Sequence, residues 1–231
     1  MVPHNLDQYY CLQDLVKKRR TIRQFKSDPI PDDYITKIIE VARWAPSGFH
    51  TQPWEFVVVK DPEIKKKIIA TLENHGPALK DPNKQGLSRP SFKDAPVFIL
   101  ALCDWRAKVG LPGQTSENNA RVANLYVSSM ANAFLLMHLA ATSLGLASQW
   151  YSATSRSEAE RAIKEIIGIP EALSIYDMMV VGYAANPPGP KIIRDTAEMI
   201  HYDNCGEKDF RSDEGVTTYA QKTKAWCLSE H

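Results

Sequence analysis

The stretch Ala45-Pro46-Ser47-Gly48-Phe49-His50-Thr51-Gln52-Pro53-Trp54 decides how this chain of 231 residues is read. Pro46 and Pro53 stiffen it, while Gly48 removes a side chain and permits unusual dihedrals. Ser47, His50 and Gln52 offer polar contacts, and Trp54 leads into an apolar run. Two readings fit: a helix-to-strand connection anchored by a tryptophan, or a turn that lays main chain against a flat ligand. About twenty residues upstream stands Arg19-Arg20-Thr21-Ile22-Arg23. Three guanidinium forks and a hydroxyl suit a phosphate dianion. The same residues also suit a solvated helix end, where cations favour the C-terminal dipole. Together the two stretches suggest a phosphate carrying a planar ring.

The whole chain sets bounds. Hydrophobic residues make up 44% and charged residues 24%, an ordinary globular composition. The formal net charge is +1, so no global field recruits nucleic acid or an anionic membrane. The four cysteines, Cys11, Cys103, Cys205 and Cys227, form no CxxC pair, and the six histidines are scattered, so no metal site is expected. Met1 to Asp14 is polar and lacks the apolar core of a secretory signal. A cytoplasmic location with reduced thiols is the expectation.

Helix and strand signals alternate along the sequence. Residues 12–19 read as a short helix. Asp32 or Asp33 can cap a helix running to about Trp44, with Ile35, Ile38, Ile39 and Ala42 on one face. Residues 56–59 read as a buried strand. Asp61-Pro62 starts a helix that carries Ile64, Ile68 and Leu72 inward. Residues 76–93 read as a long loop, and residues 97–102 as a strand covered on both faces. A second loop holds Gly110, Pro112 and Gly113.

The longest helix, about residues 117–144, is stopped by Gly145 and is rich in small residues, which let other backbones approach closely. Its polar residues Arg121, Asn124, Asn132 and His138 mark it as a core helix rather than a membrane span. A strand follows at 147–150. Ser157 and Glu160 form a capping-box pattern for a helix ending at Gly168, and 175–182 is the last strong strand. After Asn186-Pro187-Pro188-Gly189-Pro190 the chain turns polar and weakly periodic, as an extended arm would. The pattern indicates an α+β domain with one central sheet.

Two weaker elements carry chemistry. In Gly145 to Ala153 a strand runs into Ser152 and Ala153, whose amides can face a ligand edge or merely end a strand. Lys191 and Arg194 follow the proline run and suit either a phosphate or solvent. A GxGxxG fingerprint, a P-loop, a GxSxG elbow and a cysteine–histidine pairing are all missing.

With these elements in this order, the chain resembles the FMN-dependent nitroreductase family over roughly residues 12–205. Arg19-Arg20-Thr21-Ile22-Arg23 is similar to the family's Arg-Arg-Ser-x-Arg motif. Ala45-Pro46-Ser47-Gly48 with Gln52-Pro53-Trp54 is similar to its second, and Gly145-Leu146-Ala147 with Trp150 to its third. Gly182-Tyr183, the following prolines and Glu198-Met199-Ile200-His201 resemble its closing segment. The resemblance implies a nitroreductase-like fold, a central mixed, mainly antiparallel sheet flanked by helices around a long central helix. It implies a homodimer with two FMN sites at the interface and a C-terminal arm. On this reading residues 1–205 form the FMN-binding domain and 206–231 extend it.

The resemblance also implies roles for residues. Arg19, Thr21 and Arg194 hold the phosphate and ribityl end, with Arg20 and Lys191 contributing. Arg23 lies near the pyrimidine edge. Pro46, Ser47 and Gly48 come from the other subunit and line the ring. Ser152 or Ala153 supplies a main-chain amide near flavin N5. His50 stands where the family commonly has asparagine. No side chain is implied as the catalytic group, because the chemistry belongs to the flavin N5.

The implied activity is ping-pong. NADH or NADPH reduces FMN, and a small planar acceptor such as a nitroaromatic or quinone then takes the electrons. Phe49, Trp105, Trp150 and Tyr151 are candidate walls for it and equally candidates for the core. The same fold also suits reductive dehalogenation, flavin fragmentation, a dehydrogenase reaction or a non-enzymatic flavin-binding module.

Overall fold

Residues 97–104, Val-Phe-Ile-Leu-Ala-Leu-Cys-Asp, are apolar without alternation until the last position, which demands cover on both faces. A computed structural model describes residues 6–75 and 92–228 of the chain and places this run at the centre of a sheet. The strands are β1 (Trp54–Val59), β2 (Val97–Asp104), β3 (Ala147–Tyr151) and β4 (Leu173–Gly182), in the order β1-β2-β4-β3. Every pairing between them is antiparallel. α2 (Asp32–Ala42) and α5 (Asn119–Ser143) cover one face, and α3 (Pro62–His75) and α6 (Ser157–Ile167) the other. The remaining helices are α1 (Leu6–Lys18), α4 (Gly113–Ser116) and α7 (Asp213–Leu228).

The two faces make two cores. Val97, Ile99, Ala101 and Cys103 point toward α2 and α5. Phe98, Leu100 and Leu102 point toward α3 and α6. The period of two along β2 therefore feeds both layers from one strand. α5 carries ten buried residues, among them Tyr126, Phe134, Met137 and His138, and so forms the spine of the first layer.

Several local expectations change. α1 is longer than the 12–19 helix read from the pattern, and none of its residues is buried. Neither Asp32 nor Asp33 caps α2: Pro31 holds that position and both carboxylates sit in the first turn, near the positive end of the dipole. β1 is not fully buried, because it is an edge strand that leaves Glu55 and Val58 in solvent. The loop after β2 coils into a 3-10 turn at Trp105–Gly110 and then α4. Ser157 and Glu160 form no capping box. Arg156 is the cap residue, and Glu160 instead accepts the amide of Ile175 at 2.8 Å, tying α6 to the start of β4. The loop read at 76–93 falls mostly outside the described residues.

The chain divides into two compact units, one ending at Asn186 and the other beginning at Pro187. The second unit is not a purely extended arm. It contains the sixteen-residue helix α7, and the Trp226 indole donates to the Pro190 carbonyl at 3.0 Å.

Candidate functional site

The turn after α2 is pinned to α5. The Gly48 amide donates to Ser129 Oγ at 3.1 Å, and Asn132 Nδ2 donates to the Pro46 carbonyl at 3.2 Å. The Gln52 amide donates to Ser47 Oγ, and Thr51 Oγ1 donates to the Gly48 carbonyl. Gly48 is required for contact rather than for its dihedrals: a Cβ there would lie 2.3 Å from Leu125. The left-handed conformation expected at Gly48 occurs instead at Phe49, His50 and Gln52, with φ of 52°, 56° and 44°. Non-glycine residues in that region store strain. His50 Nε2 lies 2.7 Å from Gln52 Nε2, so the two side chains hold one another. Pro46, Ser47 and Gly48 line an open cleft of about 470 Å³ with Arg121, Asn124 and Leu125 of α5.

The arginine segment lies just beyond α1, so the helix-end role falls to Lys17 and Lys18 in its last turn. Past the helix the chain runs along the edge of the sheet. Thr21 bridges Ser148 in parallel, and the Ile22 amide donates to the Ser148 carbonyl at 3.0 Å. The Lys26 backbone amide then donates to the Tyr183 carbonyl at 2.9 Å. Arg19 and Arg20 are half-buried, while Thr21 and Arg23 are exposed. Burial lowers the Arg19 pKa, and the neighbouring charge of Arg20 lowers it further. Both causes destabilise a cation, and both would be relieved by a bound dianion.

β3 ends at Tyr151, with Ser152 exposed, Ala153 half-buried and a 3-10 turn following. Behind this end lies a buried polar chain absent from the expected site. Ser148 Oγ is 2.7 Å from His138 Nδ1. The His138 ring stacks on Trp150, with centroids 5.6 Å apart and planes 6° from parallel. Trp150 Nε1 donates to Asp177 Oδ2 at 2.5 Å. Burial pushes the His138 pKa down to about 3, with Arg19 adding to the shift. Burial raises the Asp177 pKa to about 6, against two opposing hydrogen bonds. One signal for both was on the page: an acid inside the apolar run 173–182 and a histidine inside an apolar helix. Ser129, a small residue among many on α5, had no such signal.

Of the four candidate walls, Phe49 is 58% exposed. Trp105 instead donates to Ser174 Oγ at 2.6 Å, Trp150 belongs to the buried chain, and Tyr151 packs edge-on to Phe92. Lys191 and Arg194 belong to the second unit. There Arg194 donates to the Glu198 carbonyl at 2.9 Å and lies 3.5 Å from the Glu198 carboxylate. Among the described residues no three His, Cys, Asp or Glu side chains stand together as a metal-holding group.

Within the first unit the residues suit FMN. The Arg19–Arg23 segment and the Ser152–Ala153 end flank the same strand, β3. The donors in the segment are those a phosphate requires, and the Arg20 charge lies close enough to Arg19 to lower its pKa.

Known proteins resemble the chain in sequence and in fold. Residues 16–183 match the model of the Nitroreductase family. A protein of Archaeoglobus fulgidus, provisionally named NADH dehydrogenase/NAD(P)H nitroreductase, is 30% identical over 173 residues, 75% of this chain and 84% of the relative. Iodotyrosine deiodinase 1 of Rattus norvegicus is 52% identical over 60 residues, only 26% of this chain and 21% of that protein. The crystal structure of oxidised iodotyrosine deiodinase bound to FMN and 3-iodo-L-tyrosine superposes with a TM-score of 0.67 at 26% identity, covering 84% of this chain and 99% of that one. The match to the family model spans most of the sequence and the fold agrees with it, so the chain belongs to the nitroreductase family.

Proposed function

We propose that the protein is an NAD(P)H-dependent flavin oxidoreductase that holds FMN against the edge of β3. The observation that carries this reading is the Thr21–Ser148 bridge, which fastens a crowded guanidinium segment to the strand that ends at Tyr151, just before Ser152. Arg19, Arg20 and Thr21 bind the phosphate and ribityl end. Arg23 supplies positive charge at the pyrimidine edge. Ser152 or Ala153 donates an amide to N5. Bound FMN supplies a two-electron carrier between NADH or NADPH and a conjugated acceptor.

The turn at Pro46, Ser47, Gly48 and His50 lines the ring from a second copy of the chain. Exposed apolar surface favours such a homodimer. α1 buries none of its residues, although it carries Leu6, Tyr9, Tyr10, Leu12 and Val16. Trp44 is 77% exposed and Val127 of α5 is 53% exposed. Surfaces of this kind are ordinarily covered. The flavin domain on this reading runs to residue 205, and the free thiols of Cys11, Cys103 and Cys205 suit a cytoplasmic setting.

A second reading concerns the acceptor. The 52% identity to rat iodotyrosine deiodinase 1 is local, but the likeness to the deiodinase structure spans the fold. A halogenated phenol is therefore a candidate acceptor beside nitroaromatics and quinones. The test is titration of purified protein with FMN, then anaerobic addition of each nicotinamide and of each acceptor class. Bound yellow flavin that bleaches with NADH or NADPH and recovers with one acceptor supports the proposal. A monomer that ignores FMN ends it. Arg23→Ala is expected to weaken flavin binding and lower its potential, and unchanged affinity and potential would remove that role.

A further inference from the structure

Asp177 is a buried acid, the one charged residue of β4, and no cation among the described residues pairs with it. Its place depends on a β-bulge. Ala101 pairs with Asp177, but Leu102 pairs with Ile175, so Tyr176 is an extra residue in β4. A bulge re-aims the side chains beside it. Here Tyr176 packs on the α5 side of the sheet, and the neighbouring Asp177 reaches Trp150 on that same side. Trp150 is itself fixed, stacked on His138 and edge-on to Phe134 at 4.6 Å. The second donor to Asp177 Oδ2 is Ser152 Oγ at 3.4 Å, a long approach for a hydroxyl. Ser152 is exposed while Asp177 is 6% exposed. The carboxyl group is thus the buried end of a short relay whose outer end is the exposed Ser152 hydroxyl.

We infer that Asp177 is a positioning residue: through Trp150 and Ser152 its carboxyl group sets whether the Ser152 hydroxyl points inward or is free to donate toward bound flavin. This rests on the function proposed above. The ionised carboxylate accepts charge-assisted hydrogen bonds and holds the hydroxyl inward. The neutral acid accepts more weakly, and a contact already 3.4 Å long is the first to open. Burial places the proton change at about pH 6. The other titratable groups nearby do not compete. His138 on α5 is held to about 3, while Tyr176 on β4 and Cys103 on β2 are pushed up to about 12. Ala101, directly opposite on β2, does not titrate.

Two readouts test this. In the flavin-free chain the indole N–H resonance of Trp150, assigned by its loss in Trp150→Phe, should shift with pH through about 6 and stay still in Asp177→Asn. In the FMN-loaded protein the midpoint potential should show an inflection in the same pH range, lost in both Asp177→Asn and Ser152→Ala. Should Asp177→Asn not fold, Ser152→Ala decides: an exposed hydroxyl is removed, the indole titration must remain and the inflection must vanish. An inflection that persists in Ser152→Ala, or an indole that does not titrate in the wild type, overturns the inference. Failure of every form to take up FMN ends the proposed function instead, and the indole titration still reports on the relay by itself.

Discussion

The turn at 46–52 and the strand end at 148–153 are held in place by opposite means. The turn is exposed, strained and built from neighbours in sequence: three left-handed residues held by Ser47, Gly48 and Thr51. The strand end is relaxed at the backbone, and its Ser148 and Trp150 are held from below by His138 of α5 and Asp177 of β4. Local strain announces itself through proline and glycine. Support from buried side chains does not, because the partners meet only when the sheet is assembled. The two halves of the site should therefore fail in different ways.

The largest effect should come from removing the floor of the strand end. Phe134 is fully buried and touches His138, Trp150 and Tyr176 edge-on. Phe134→Ala should cost about 3–5 kcal/mol in denaturant unfolding. A loss under about 1 kcal/mol would mean that this floor is not a rigid support.

Acid and base should separate the strand end next. The Asp177 pKa is raised from 3.8 to about 6 in the folded chain, so its contribution is full below 3.8 and is lost as pH rises through 6. At 1.36 kcal/mol per unit, Asp177→Asn should gain up to about 3 kcal/mol on the wild type between pH 4 and pH 8. His138 acts in the other sense. Its pKa is lowered from 6.5 to about 3, so its contribution is present above 6.5 and is lost as pH falls toward 3. His138→Gln should flatten the acid limb of a plot of melting temperature against pH. Parallel limbs for both variants and the wild type would sink this reading.

The turn should break more gently and more locally. Gly48→Ala drives a methyl group into Leu125 and should cost about 1–3 kcal/mol, read by thermal melting. Leu125→Ala in the same chain should cost less than it does alone, since it clears the clash. The smallest effect belongs to Phe49→Gly. Glycine relieves the cost of φ near 52° but adds freedom to the unfolded chain. A net change within about 1 kcal/mol is expected, against the larger losses at Phe134.

Much of the architecture could be read from residue order. β2 is a continuous apolar run because it is central, and α3 begins where Asp61 accepts the amides of Glu63 and Ile64. Gly168 closes α6 in the left-handed conformation. The errors arose where a residue serves something remote. Glu160 looks like half of a capping box, yet its carboxylate holds the Ile175 amide near the start of β4. α7 was hidden because its apolar residues make no strong stripe.

For the candidate site, the sequence alone determined the chemical inventory: a guanidinium cluster with a hydroxyl, and a stiff turn with one glycine. Those depend on neighbours in the chain, and their signal is composition and spacing. Only the tertiary structure decided that the cluster lies beside β3 and that the turn rests on Ser129 and Asn132. It also put a carboxylate beneath Ser152. The reason is physical. Strand order, a one-residue bulge and burial in low dielectric set these partners, and each exists only once segments far apart in the chain have packed.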